Sequence, residues 1–230
     1  MVGTELSLTR TVAAYAPDRA EAATRVRIGD PGVLAAGVLE FPNGRLVSRS
    51  IDNRIGAFVV LEALRILSQD RPVASVTAVA TTREEIAATG GGARSSANQL
   101  EPDVAIVIDV THATDYPGIE KRKHGDFRLG GGPVLSRGAS VSEIVFDLLV
   151  ETAEAEQIPY SIEAASRDTH TDAEAIFNAH RGVATGLVSV PNRYMHSPNE
   201  MVALEDLDRT ARLLAAFART LSPETSFVPR

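Results

Sequence analysis

Apolar and polar positions follow two periods along most of the chain. Residues 55–67 place Ile55, Phe58, Val59, Leu61, Leu64, Ile66 and Leu67 at the spacing of a largely buried helix. Residues 73–82 are rich in β-branched side chains and carry no charge, the pattern of a strand buried on both faces. Residues 103–110, with Val104, Ile106, Val107 and Ile108, predict a second such strand, and residues 182–190 a third. A short β-prone run, residues 46–51, precedes Asp52. Glycines 90–92 lead into a helix-compatible stretch through Gln99, and residues 142–157 form an acidic amphipathic helix halted before Pro159. A short strand over 160–164, a short helix over 172–180 and a closing helix over 205–221 complete the pattern. Residues 112–138 lack periodicity and carry Pro117, Gly118 and the run Gly130-Gly131-Gly132-Pro133, which reads as loop and turn. Strands alternating with helices predict an α/β fold: a mixed, mostly parallel sheet with helices on both faces.

The front of the chain differs in character. Residues 18–23 suit a helical turn, residues 27–32 are turn-rich, and residues 33–41 suit a strand followed by the hairpin turn Pro42-Asn43-Gly44. The expected division is a small β-rich piece over residues 1–47 and an α/β body over 48–230. Charge narrows the partners. With 23 Lys+Arg against 30 Asp+Glu the formal net charge is −7, which argues against a nucleic-acid partner. At 44% hydrophobic and 23% charged residues the composition is that of an ordinary globular chain. The chain has no cysteine, so disulfides and thiolate metal sites are excluded and any metal falls to His, Asp or Glu. No signal peptide and no apolar run near the ~18 residues of a membrane helix are expected. The sequence reads as an acidic cytoplasmic protein without a membrane partner.

Candidate chemistry sits at the ends of the expected strands. Asp52 follows the first strand of the body, Glu84 and Glu85 the second; Asp109 closes the third and His196 lies just past the fourth. In parallel α/β sheets the carboxyl ends of the strands converge on one edge, where ligand sites form. Carboxylates gathered there repel one another unless a cation offsets them. Three carboxylates and a His suit Zn²⁺, Co²⁺ or Mn²⁺, with a fourth carboxylate free to act as a general base. Taken singly, each residue has a plainer reading: Asp52 and Asp109 as turn or N-cap residues, the Glu pair as a solvated face, His196 as structural. The joint pattern is what argues for a metal site. Gly90-Gly91-Gly92 lacks the Lys-Ser/Thr of a P-loop and reads as backbone freedom beside that site. Gly130-Gly131-Gly132 reads as a close approach to a pocket or an ordinary turn.

The residues resemble the M42 metallo-aminopeptidases, the tetrahedral aminopeptidases once also described as endoglucanases. Ser50-Ile51-Asp52-Asn53-Arg54-Ile55-Gly56 resembles the family's "alDnRvG", and Thr82-Arg83-Glu84-Glu85-Ile86 its "qEEvG". Val107-Ile108-Asp109-Val110-Thr111 with Asp115-Tyr116-Pro117-Gly118 resembles "vDvt…DtPG". The segment Ser189-Val190-Pro191-Asn192-Arg193-Tyr194-Met195-His196-Ser197-Pro198 resembles "siPtRYmHsP". Leu129 to Pro133 and Thr171-Asp172-Ala173 match weaker landmarks, all in family order. The resemblance implies a peptidase acting on short peptides through two divalent ions, Zn or Co. Asp52 would bridge the ions, Glu85 and His196 would complete one site, Asp109 would serve the other, and Glu84 would be the general base. His170 and Asp172 would lie on the substrate side. Adjacent Glu84 and Glu85 disfavour glycoside hydrolysis, which sets two carboxylates on opposite sides of a sugar bond.

Two departures qualify that expectation. The family has a further metal-binding His in an early H-x-D strand, whereas no His precedes His112 here. The resemblance thus implies a chain lacking its N-terminal portion, a weakened second metal site, and as the alternative function a catalytically impaired or inactive fragment. It implies homo-oligomers for the full-length family and leaves assembly of this chain open. The stretch Arg167 to Asp172 replaces a more glycine-rich family segment, with His170 extra. Of the other histidines, His112 reads as a loop residue with a solvent or backbone partner and His124 as exposed. His180 reads as a partner of helix-terminal carbonyls.

Overall fold

The computed structural model describes residue 16 and residues 18–86 and 90–228. Two sheets organise them. Strands β1 (Leu39–Phe41) and β2 (Arg45–Ser48) form a hairpin whose turn uses Asn43 and Gly44, both at positive φ, as an Asn-Gly turn requires. A short helix, α1 (Arg19–Ala23), precedes the hairpin, with the Asp18 carboxylate accepting the Glu21 N–H at 2.9 Å. The larger sheet holds β3 (Val104–His112), β4 (Val134–Gly138), β5 (Ser161–Ala165) and β6 (Ala184–Asn192) in the order β3-β6-β4-β5. Its β3–β6 and β4–β5 pairs are parallel and β4–β6 is antiparallel, so the sheet is mixed.

Helices flank it. The long α2 (Ile51–Gln69) buries Ile51, Ile55, Val59, Ala63 and Leu67, one stripe at helical spacing, against α7 (Leu204–Thr220) and β3. The α5 helix (Glu143–Ala155), capped by Ser142, packs on α7, β4 and β6. The α3 helix (Gly91–Leu100) packs on α6 (Asp172–Phe177), which in turn meets β6 and β3. Exposed α4 (Lys121–His124) completes the helices. The core joins α2, α5 and α7 to β3 and β6 through Val59, Leu149, Leu213, Val188 and Val190, all buried.

Three expectations differ from this architecture. Residues 73–82 are not a buried strand. They form neither strand nor helix, with Val73 78% and Val76 40% exposed, because a strand needs ladder partners and no described segment supplies them. The run before Asp52 does form a strand, β2, but it belongs to the small sheet and pairs antiparallel with β7 (Glu200–Ala203), an element its sequence does not announce. Within the expected loop 112–138 the structure has α4 and β4. The closing turn of that loop is tied to α7. Asp206, 0% exposed, accepts the N–H groups of Gly130 and Gly132 at 2.7 and 2.8 Å, and both glycines hold positive φ. The glycine run is therefore a turn.

Asp206→Ala would leave the buried Gly132 amide and the half-buried Gly130 amide without this acceptor. The expected loss is about 2–4 kcal/mol of unfolding free energy in urea titration, against less than about 0.5 kcal/mol for the exposed control Asp208→Ala.

Candidate metal centre

Four elements bring the acidic residues together. Asp52 lies in the first turn of α2, where the backbone leaves helical geometry at Asp52 and Asn53 and their peptide bond is cis. Glu84 and Glu85 begin a 3-10 turn, Glu84–Ile86, that follows the unpaired segment. That turn is seated by backbone contact. The Gly92 N–H donates to the Thr82 carbonyl at 2.8 Å, and a Cβ on Gly91 or Gly92 would stand 2.6 or 2.7 Å from Thr82 backbone atoms. The glycines are thus required for close approach beside the acidic turn. His196 sits in the loop between β6 and β7.

Three of these residues converge. His196 Nε2 lies 3.1 Å from Asp52 Oδ2 and 3.5 Å from Glu85 Oε2. One ligand atom from each of Asp52, Glu85 and His196 lies within 4.8 Å of the others. Among the described residues no other group of three such side chains meets in this way. Asp109, near the end of β3, stands apart from the three. Its Oδ1 accepts the Val110 N–H at 2.8 Å and the Asn53 Nδ2 at 3.1 Å. Glu84, Asp109, Asp172, His112 and His170 line one cleft of about 970 Å³ with the trio. The cleft opens because β4 parts from β6 after the pair Leu135–Val188, leaving Ser136 and Leu187 on its walls.

The electrostatics follow from burial first and from crowding second. Burial, reinforced by Glu85 and Glu200, raises the Asp52 carboxyl from 3.8 to about 7, with His196 pulling the other way. Burial raises Asp109 to about 8 despite the Val110 amide, and Asp52, Glu84 and Asp172 add repulsion. Glu84 is raised by burial, then by Asp172 and Glu85. Asp172 is raised by burial although its Oδ2 accepts the Thr81 hydroxyl at 2.6 Å. Carboxylates pushed toward neutrality by burial and by one another are a site that a cation would stabilise. The donor set of two carboxylates and one imidazole fits Zn²⁺ or a similar divalent ion, and exposure of the Glu85 and His196 side chains leaves room for further ligands.

Two residues that the sequence reading did not single out support this arrangement. Glu200, only 2% exposed, accepts the Asp52 N–H through Oε2 at 3.1 Å and the His196 N–H through Oε1 at 3.0 Å, joining both ligands through their backbones. Asn53 accepts the Gly56 N–H at 2.8 Å and donates to the Ile108 carbonyl at 2.8 Å as well as to Asp109, fixing α2 against β3. An acid four residues beyond a candidate ligand His was the available signal for Glu200. Of the histidines, His112 ends β3 and lines the cleft instead of lying on a loop. His124 is exposed. The His180 backbone N–H donates to Asn98 Oδ1 at 2.8 Å, and its ring lies 3.4 Å from Glu101, so it binds the end of α3 and not its own helix.

Comparisons with known proteins point to one family. The family model for M42 glutamyl aminopeptidase matches residues 10–213. A lysyl aminopeptidase of Pyrococcus furiosus is 33% identical over 199 residues, covering 86% of this chain and 55% of that relative. Among solved structures, an aminopeptidase from the archaeon Desulfurococcus kamchatkensis superposes with a TM-score of 0.83 at 36% identity, over 91% of this chain and 59% of its own. The Pyrococcus horikoshii TET1 peptidase, described as assembling into a tetrahedron or a large octahedral shell, has a TM-score of 0.73 at 29% identity, over 88% and 58%. The chain thus spans little more than half the length of these relatives. Among the described residues no helix is long and apolar enough to cross a membrane. By the match over most of its length, the chain belongs to the M42 family of aminopeptidases.

Proposed function

We propose that the chain carries the catalytic centre of a metal-dependent aminopeptidase that removes N-terminal residues from short peptides. The observation that carries the reading is the meeting of Asp52, Glu85 and His196, with Glu84 on the same 3-10 turn as Glu85. Asp52, Glu85 and His196 would hold one ion; Asp109, with a share of Asp52, would contribute to a second. When bound, the metal supplies Lewis acidity toward the scissile carbonyl and toward water. Glu84, raised by burial and acidic neighbours, suits the proton work: its carboxylate takes a proton from water and delivers it to the leaving amine. Asp172 and His170, across the cleft, are proposed to contact the substrate.

A second reading, an impaired enzyme, is favoured by one observation. Asp109 Oδ1 is already occupied by two N–H donors, and no His joins Asp109 among the described residues. One strong and one weak ion site is the arrangement these partners support. Homo-oligomeric assembly, described for the Pyrococcus horikoshii relative, is proposed for the full-length family.

Isothermal titration with Zn²⁺ or Co²⁺ is expected to resolve one tight site and a second at least about tenfold weaker, the scale on which lost ligand support shows in metal affinity. Two equal tight sites would refute the weakened second site. Hydrolysis of aminoacyl-p-nitroanilides with added metal is expected to fall about 10²–10⁴-fold in kcat for Glu84→Gln, with the tight metal site retained. Equal rates for the variant and the unmodified chain would remove Glu84 from the chemistry.

Stability should also follow pH. Asp52 and Asp109 hold folded-state values of about 7 and about 8 against 3.8 when free, so between these limits the native state binds more protons than the unfolded state. Metal-free protein should therefore lose stability as pH rises from 5.5 to 8.5. Added Zn²⁺ or Co²⁺, which competes with those protons, should raise Tm more at pH 8.5 than at pH 5.5. Differential scanning fluorimetry at the two pH values reads both effects.

A further inference from the structure

Asp52 and His196, whose Oδ2 and Nε2 lie 3.1 Å apart, share one backbone partner that is not itself a candidate ligand. Glu200, 2% exposed, accepts the Asp52 N–H through Oε2 at 3.1 Å and the His196 N–H through Oε1 at 3.0 Å. Each carboxylate oxygen is thus engaged by one backbone amide. Glu200 does not line the cleft and does not belong to the group whose ligand atoms converge. Its register opposite Ser48 sets it in the β2–β7 ladder, beside the chain that leads into Asp52.

The loop that carries His196 is closed at its base. Arg193 and Met201 pair across it, each N–H donating to the other's carbonyl, at 2.9 and 3.0 Å. Asp115 pins the Arg193 guanidinium through two bonds of 2.7 and 2.8 Å. Within the loop Tyr194 and His196 hold φ of 59° and 63°, and Ser50, two residues before Asp52, holds 55°. Residues with a β-carbon disfavour this left-handed region, so holding the backbone there at and beside both candidate ligands needs compensating contacts. Glu200 supplies one to each, and bonds to an ionised acceptor are stronger than neutral ones. Its two oxygens suit the task, since a Gln would offer one acceptor oxygen and turn its NH2 toward the second donor.

We propose that Glu200 is a positioning residue for the metal centre: by receiving both backbone N–H groups it holds Asp52 and His196 at ligand spacing in the metal-free chain, and so sets the affinity of the tight site. This role deepens the metal-dependent reading of the site and rests on it for the identity of the ligands. Zn²⁺ is titrated calorimetrically into the metal-free chain and into its Glu200→Gln, Glu200→Asp and Asp206→Asn variants, and the visible spectrum of each Co²⁺ form is recorded. Asp206 is the structural control, a 0% exposed carboxylate that also accepts two backbone N–H groups but does not line the cleft. Glu200→Gln leaves one amide facing an NH2, and Glu200→Asp keeps the charge but is one carbon shorter than the span between the two amides requires. Both are expected to weaken the tight site about 10- to 100-fold, the scale on which groups that orient metal ligands act, and to shift the Co²⁺ bands. Asp206→Asn is expected to lower Tm while leaving metal affinity within about threefold, as for a distant independent site.

Unchanged affinity in Glu200→Gln would overturn the proposal, as would an equal loss in Asp206→Asn, which would trace the effect to general instability. Full affinity in Glu200→Asp would leave charge as the cause and overturn positioning. If the Glu200 variants do not fold, amide hydrogen exchange of the metal-free wild-type chain decides. The Asp52 and His196 amides are expected to be protected as strongly as the ladder amides of β2 and β7. Exchange at the rate of open loops until Zn²⁺ is added would overturn the proposal. A wild-type chain without a tight site would overturn the metal-dependent reading and the role of Glu200 with it. A tight site indifferent to Glu200 would overturn that role alone.

Discussion

The candidate metal centre depends on the short ladder between β2 and β7 and on the one carboxylate buried in it. Their register sets Ser48 opposite Glu200, which carries the chain before Asp52 alongside the chain after His196. Glu200 then accepts one backbone N–H from each of those two residues. Such bonds to a buried carboxylate are charge-assisted, and losing either would strand an amide in the interior. The two candidate ligands are therefore brought together by backbone geometry before any ion is considered, although they stand 144 positions apart in the chain by the difference of 196 and 52.

The cost of this gathering is like-charge crowding. Asp52, Glu84, Asp109 and Asp172 are all raised above their ordinary values, each chiefly by burial, and neighbouring carboxylates add to the effect at the first three. The fold tolerates the crowding by supplying amide and hydroxyl donors at particular oxygens: Val110 and Asn53 to Asp109, Thr81 to Asp172, Thr111 to Glu163. A divalent ion at Asp52, Glu85 and His196 is a species whose charge would offset these carboxylates. The same arrangement explains the cleft, since the divergence of β4 from β6 removes the strand that would otherwise cover those acids.

Much of the fold was legible because it follows local rules. The stripe from Ile55 to Leu67 signals a helix wherever it occurs, and the apolar runs that became β3 and β6 signal buried strands. Residues 73–82 carry the same signal and failed to pair, since β-propensity describes how a segment fits a sheet and not whether an edge is present to receive it. β7 has four residues and follows Ser197, Pro198 and Asn199, so no period could reveal it; it exists because β2 offers an edge. β4 was hidden within a glycine- and proline-rich stretch whose turn is held from outside by Asp206.

For the site, the sequence by itself determined the chemistry: no thiolate, carboxylates and imidazole at the ends of apolar runs, and ordered motifs resembling one peptidase family. Residue types and their order are written locally, and ligand preference follows from donor atoms alone. Only the tertiary structure decided which of those residues meet. It joined Asp52, Glu85 and His196, held Asp109 aside with Asn53, introduced Glu200 as their common anchor, and opened the cleft that Glu163 faces. Those outcomes depend on strand register and on the angle at which two strands part, which are set by packing between segments far apart in the chain.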